Sequence, residues 1–189
     1  MTYVRETIVT TKNHDNTVKV SPLGIYIEEG ILKIKPFKPS ASLDNILRNK
    51  SGVINYIDDV RIFASCIIKK KIDIDFVATN TIDCFRIKDA VSHTEFIVEN
   101  IDEDNERPTI ICKSVNEETH KMHYGFNRAK SAVIELCILA SRLGIIDNKK
   151  IDNEIKYLQI AINKTAGYNE LCAWESLIDY INKYKDSIK

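Results

Sequence analysis

The sequence predicts an α+β chain: an antiparallel β-barrel over the first two-thirds, followed by three helices. Two observations carry this. Short β-branched runs separated by turn signals recur from residue 7 to residue 115, which fits a barrel better than a parallel sheet. From Tyr124 the apolar spacing changes to three and four residues, the period of a buried helix. No linker rich in Gly and Pro separates the regions, so residues 1–123 are expected as barrel and 124–189 as a helical extension packed on it.

Residues 7–12 are β-branched and run into the turn signal His14-Asp15-Asn16. Val18, Val20, Leu23, Ile25 and Ile27 are apolar at near-alternate positions; Glu28-Glu29-Gly30 then turns the chain, and residues 31–35 return as a second strand. A short helix is predicted over 42–49, with Leu43, Ile46 and Leu47 on one face, Ser42 and Asn45 as a capping pair, and Ser51-Gly52 as its end. Residues 53–57 read as a strand. Asp58-Asp59 read as caps of a helical segment through Ile62, Phe63, Cys66 and Ile67. Residues 72–77 and 84–87 are weaker strands. Residues 93–101 and 109–115 are strong ones, joined by the loop DEDNERP, with Pro108 at a strand entry where a missing N–H is harmless.

The first long helix carries Ala129, Ala132, Val133, Leu136, Cys137, Ala140 and Leu143, and Gly144 ends it. Asp147 caps a second, with Ile151, Ile155, Leu158 and Ile162 on one side, and Gly167 stops it. A third runs from about Tyr168 to Tyr184, with Leu171, Trp174, Leu177, Ile178 and Ile181 inward and a polar tail beyond.

Composition narrows the function. Lys plus Arg (27) equals Asp plus Glu (27), and a neutral chain without a basic stripe argues against a general nucleic-acid binder. No apolar run approaches the ~20 residues of a membrane span. The first residues carry no apolar signal core, so a cytoplasmic protein is expected. The five cysteines (66, 84, 112, 137 and 172) are odd in number and form no CxxC, so they read as reduced, mostly buried thiols, and no metal site is expected.

The stretch after the second strand is chemically suggestive. Lys35, Lys38, Ser40 and Ser42 place cations and hydroxyls beside a helix N-terminus, which is what a phosphate ester needs. The plainer reading is a strand-to-helix connection with solvated lysines, and no GxGxxG or Walker pattern is present. His120 and His123 stand three apart; on a helix they could clamp a metal, or they are simply exposed. His14 reads as a turn residue and His93 as a strand start. Asn127 and Arg128 open the first long helix, as N-cap and ion-pair partner or, for Arg128, as a ligand for an anion or a partner subunit. No serine sits in a nucleophile elbow and no cysteine has a local activating signal, so any chemistry belongs to a bound cofactor.

Four segments carry a family resemblance: Glu6-Thr7-Ile8-Val9-Thr10-Thr11, Val20-Ser21-Pro22-Leu23-Gly24-Ile25, Ile34-Lys35-Pro36-Phe37-Lys38, and Asn127-Arg128-Ala129-Lys130. Over about residues 5–144 the chain resembles the FMN-binding split β-barrel superfamily, which includes flavin reductases and pyridoxamine-phosphate oxidases. It looks most like a largely archaeal, uncharacterised branch with no assigned reaction. The resemblance implies a split barrel that binds FMN non-covalently. Lys35, Lys38, Ser40, Ser42 and Asn45 would serve the phosphate and ribityl chain, with Pro36 and Phe37 in the same loop and Arg128 nearby. Backbone groups of Ser21, Pro22, Leu23 and Gly24 would meet the ring. Gly24 then has two readings: a residue without Cβ that lets a flat ring approach, or a β-bulge. The resemblance further implies a homodimer with the flavin in the groove between subunits, and a flavin-dependent oxidoreductase acting on a small molecule. The alternatives are a flavin or phosphate-ligand carrier without turnover, and a barrel that has lost its ligand and serves as a dimeric interaction module.

Overall fold

The protein, described from a computed structural model, has its strands and helices in this order: β1 (Tyr3–Lys12), β2 (Val18–Glu28), β3 (Ile31–Ile34), α1 (Ala41–Asn49), β4 (Ser51–Tyr56), α2 (Arg61–Ile68), β5 (Phe76–Ala78), β6 (Phe85–Ile87), β7 (Ser92–Asp102), β8 (Thr109–Thr119), α3 (Arg128–Ser141), α4 (Asn148–Thr165) and α5 (Tyr168–Ser187). The structure describes residues 3–188; Met1, Thr2 and Lys189, at the ends of the polar N-terminal stretch and tail, lie outside the described residues. The chain forms two units. Residues up to Asp58 together with Asp73–His123 make a barrel unit; Asp59–Ile72 together with the chain from Tyr124 onward make a helical unit.

In the barrel unit six strands close in the order β1-β2-β3-β8-β7-β4, all neighbours antiparallel: the α+β split barrel the sequence predicts. Local chemistry sets each turn. Asp15 Oδ1 accepts from the Thr17 backbone N–H and hydroxyl, and Asn16 takes φ 64°, closing the β1–β2 hairpin. Glu28 pairs directly with Ile31, so Glu29 and Gly30 form a two-residue turn, with φ 51° and 81°. Positive φ at both positions matches the twist of the flanking strands. The core gathers Val9, Ile25, Ile34, Ile54, Phe96, Ile110 and Cys112 from the sheet, and Leu43 and Ile46 from α1.

α1 ends at Asn49, as the sequence predicts, but its start and cap shift. Ser40, not Ser42, is the N-cap, its Oγ accepting the Leu43 N–H at 3.2 Å. Lys50 closes the helix at φ 54°, while Ser51 and Gly52 already pair with Ile97 and Phe96 as the start of β4. Cross-strand pairing thus overrides the turn propensity of Ser-Gly. A Cβ on Gly52 would lie 2.7 Å from Phe96 Cζ, so the position needs glycine for close approach.

β5 begins at Phe76 rather than 72 and pairs only with β6, as a separate two-stranded sheet. Two buried side chains tie it down. Asn55 donates to Ile8 O and Thr10 Oγ1 and accepts from the Ile87 N–H at 2.7 Å. Glu95 accepts from the backbone N–H groups of Asn80, Thr81 and Ile82 and from Asn116 Nδ2. Burial raises the Glu95 carboxyl, but these hydrogen bonds outweigh it and hold the group below the usual carboxylate range. β8 runs four residues beyond the predicted 115, to Thr119.

The helical unit holds α2, α3, α4 and α5. Asn127 Oδ1 accepts from the Ala129 and Lys130 N–H groups, making it the N-cap of α3. Asp147 caps α4 through the Lys150 N–H. Gly167 opens α5, its N–H bonded to Glu170 Oε2. α5 continues to Ser187 and so absorbs most of the polar tail, while Leu171, expected inward, is exposed on its first turn. Among the described residues no helix is long and apolar enough to cross a membrane.

Candidate functional site

The barrel's loop after β3 was the sequence's main candidate, and the structure places most of the expected residues around it. β2 pairs with β1 from Val18 to Ile27 without a register break, so Gly24 is not in a bulge, and its φ is not in the left-handed region. That removes one of its two readings. β3 covers β2 only from Ile25 onward. Residues 21–24 therefore have β1 on one edge and, among the described residues, no strand on the other. Leu23, Ile25 and Ile27 pack toward the core, so by strand alternation Pro22, Gly24 and Tyr26 face outward. A Cβ on Gly24 would meet Val4 Cγ1 at 3.0 Å on that face.

Beside this edge stands the N-terminus of α1. Ser42, in its first turn, is buried, and its Oγ lies 2.5 Å from Ser21 Oγ, which ties helix to strand. The Ala41 and Ser42 N–H groups are first-turn donors with no intrahelical acceptor. The Asn45 amide is taken up internally: Nδ2 donates to Thr11 Oγ1 and Asn13 Oδ1, and Oδ1 accepts from Arg48. Asn45 thereby holds the β1–β2 turn against α1.

The loop itself is laced to the β7–β8 connection. Lys38 Nζ donates to Glu103 Oε2 at 3.2 Å and to Asp104 O at 2.8 Å, and the Lys38 N–H donates to Glu106 O. Asp104 Oδ1 accepts from the Arg107 and Glu106 N–H groups, which lower its carboxyl below the usual range. Arg107 donates through Nε to Lys35 O and through Nη2 to Tyr26 OH, and stacks over the exposed Phe37 ring at 4.6 Å. Lys35 Nζ sits 4.8 Å from the Tyr26 ring centre. Pro36 is buried.

Arg107 is the residue that sequence reasoning missed. In sequence it stands in the polar connection DEDNERP, where Asp104 signals a turn but nothing local marks the arginine's distant partners. Arg128 belongs to the helical unit, where it is the exposed first residue of α3. Of the two readings of His120 and His123, the helical clamp is absent because no helix forms there; His123 is exposed as the plainer reading has it, while His120 is half-buried and stacked on His93.

Comparison with known proteins gives a consistent picture. The family model described as "Protein of unknown function (DUF447) N-terminal domain" matches residues 5–121, and a second, "Protein of unknown function (DUF447)", matches residues 127–179. No curated protein matches the sequence. Among solved structures, an FMN-bound protein of the DUF447 family from Methanosarcina mazei is similar at TM-score 0.80 and 19% identity, over 94% of each chain. The flavin reductase PheA2 is similar at TM-score 0.54 and 14% identity, over 64% of this chain and 82% of that one. The 2-nitrobenzoate 2-nitroreductase NbaA of Pseudomonas fluorescens is similar at TM-score 0.51 and 21% identity, over 60% and 64%. These likenesses establish a shared fold.

Proposed function

The chain belongs to the DUF447 family, and on that premise we propose that it binds FMN non-covalently and acts as a flavin-dependent oxidoreductase on a small molecule. The observation that carries this reading is the juxtaposition, through the Ser21–Ser42 hydrogen bond, of an open strand edge and a helix N-terminus. The FMN-bound family member of the same fold supports the choice of ligand.

The residues present fit such a ligand. The phosphate is assigned to the first-turn N–H groups of α1 and the Ser40–Ser42 end of the loop, where a helix N-terminus favours an anion. Lys35 on that loop, and Arg107 on the β7–β8 connection hydrogen-bonded to it, supply positive charge beside it. Lys38 acts by pinning the loop to residues 103–106. The edge at residues 21–24 that β3 leaves uncovered offers backbone groups to the polar rim of a flavin ring, apart from Pro22, which has no N–H, and Leu23 O, which already accepts from the Thr7 hydroxyl at 2.8 Å; Gly24 keeps the outer face low. Asn45 and Arg48 keep α1 in register with β1. When bound, FMN supplies the redox chemistry, and the protein supplies position and electrostatics. A homodimer in the cytoplasm belongs to the same reading.

Titration of the purified chain with FMN, followed by quenching of flavin fluorescence, tests binding. A saturable one-to-one curve supports the reading, and no quenching rejects it. Anaerobic addition of NADPH then divides the two uses of the site. Bleaching of the bound flavin supports an oxidoreductase; an unbleached flavin with NADPH and with a deazaflavin donor leaves a carrier.

A further inference from the structure

We propose that His93, Glu118 and His120 form a binding site for a divalent transition-metal ion, with zinc as its representative. The site lies in the barrel unit, and none of its residues belongs to the FMN cradle.

Strand register assembles it. His93 pairs with Glu118 and Glu95 with Asn116 across β7 and β8. Residues two apart share a face, so His93 and Glu95 on one strand meet Asn116 and Glu118 on the other. His120 extends the same row. Its N–H donates to Val91 O at 2.8 Å, carrying the ladder one step past the strand end. His93 Nδ1 lies 2.8 Å from His120 Nε2, and the two rings are nearly parallel. One ligand atom from each of His93, Glu118 and His120 lies within 4.8 Å of the others.

A second observation comes from the far side of the His93 ring. Nε2 is buried, has no hydrogen-bond partner, and sits 3.5 Å from Glu95 Oε1. A metal on Nδ1 obliges Nε2 to carry the ring proton, and that proton then faces Glu95. The result is the carboxylate–histidine–metal arrangement that fixes tautomer and ring orientation. Glu95 is itself rigid, because the turn at residues 80–82 and Asn116 hold it. Glu118 Oε1 is oriented by the amides of Asn80 and Asn116.

Two imidazoles and a carboxylate suit zinc and its transition-metal neighbours rather than calcium or magnesium. Three protein ligands leave a fourth position for water. Zn–N bonds of about 2.0–2.1 Å put two tetrahedral nitrogens roughly 3.3 Å apart. His120, half-buried and just beyond the end of β8, would have to withdraw by only that small difference.

Chelator-treated protein titrated with zinc in a calorimeter should bind one ion per chain, and cobalt should give the intense visible absorption of a four-coordinate site. His120→Ala and Glu118→Gln should each weaken zinc at least tenfold and abolish the cobalt spectrum, with circular dichroism and melting of the metal-free protein unchanged. The exposed side of His120 makes that variant tolerant; Glu118→Gln repeats the test without removing an imidazole. Absence of one-to-one binding in the wild type overturns the proposal. So does zinc affinity unchanged in both variants, which would assign the ion to the thiols and leave the histidines sharing only a proton.

Discussion

Ser42 Oγ lies 2.5 Å from Ser21 Oγ, so the first turn of α1 is hydrogen-bonded to the stretch of β2 that has no second strand beside it. Both ends of the proposed flavin cradle thereby move together. The phosphate end is set by Ser40 and Ser42, the ring end by residues 21–24, and one hydroxyl pair fixes their separation.

Lys35→Ala combined with Arg107→Ala should weaken FMN by at least ~100-fold. Each charge-assisted contact contributes roughly 1.5–3 kcal/mol, and tenfold corresponds to about 1.4 kcal/mol. Riboflavin, lacking the phosphate, should bind the variant as it binds the wild type. Fluorescence titration with both ligands checks this; an equal loss for both would mean that the two cations shape the ring site instead.

Gly24→Val should reduce flavin affinity and leave the fold intact. The new side chain enters the outer face beside Val4, which is itself exposed and can turn aside. Val is also a good strand former. Melting without flavin should stay near wild type, while the FMN titration shifts to higher concentration. Wild-type affinity in this variant would move the ring away from β2.

Gly52→Ala behaves in the opposite way. The methyl would press on the Phe96 ring in the middle of the core and approach Thr10 O at 3.3 Å. Overpacking of this kind costs about 1–3 kcal/mol. Chemical denaturation should show a lower midpoint with an unchanged slope. A neutral midpoint would mean that Phe96 can swing clear.

Thiol titration separates the cysteines. Burial pushes Cys84 up to about 11, and Cys112 and Cys137 up to about 12. Each raised value favours the folded state fully below the unfolded thiol value near 8.5, and that contribution is lost as pH rises through the folded value. At pH 8 these three should therefore stay silent toward a thiol reagent until the chain is denatured. Cys66 and Cys172, less buried, should react in the native protein. Five fast thiols in the native state would contradict the packing described.

The strands were legible because their apolar residues alternate and their turns carry Asp, Asn or Gly at the positions that need them. Glu29-Gly30 is the clearest instance. The start of α1 was misread because Ser40 and Ser42 are both capable caps; only the packing of Ser42 onto Ser21 decides between them. Ser51-Gly52 looked like a helix stop because the Phe96 ring that demands a glycine lies 44 residues away in the sequence. Arg107 and the His93–Glu118–His120 group were invisible for the same reason. Each is assembled by cross-strand register, and register between distant strands leaves no local trace.

The anchoring of the β5–β6 hairpin by Asn55 and Glu95 has a consequence for amide hydrogen exchange. The Ile87 N–H is bonded to a side chain buried among β1 and β4, and the Thr81 and Ile82 N–H groups to a carboxylate buried on β7. None can open by fraying of the small sheet alone, because that would strand a buried amide and a buried carboxylate without partners. These three protons, although they sit in a short excursion outside the barrel, should exchange as slowly as those of its central strands, on the timescale of global opening.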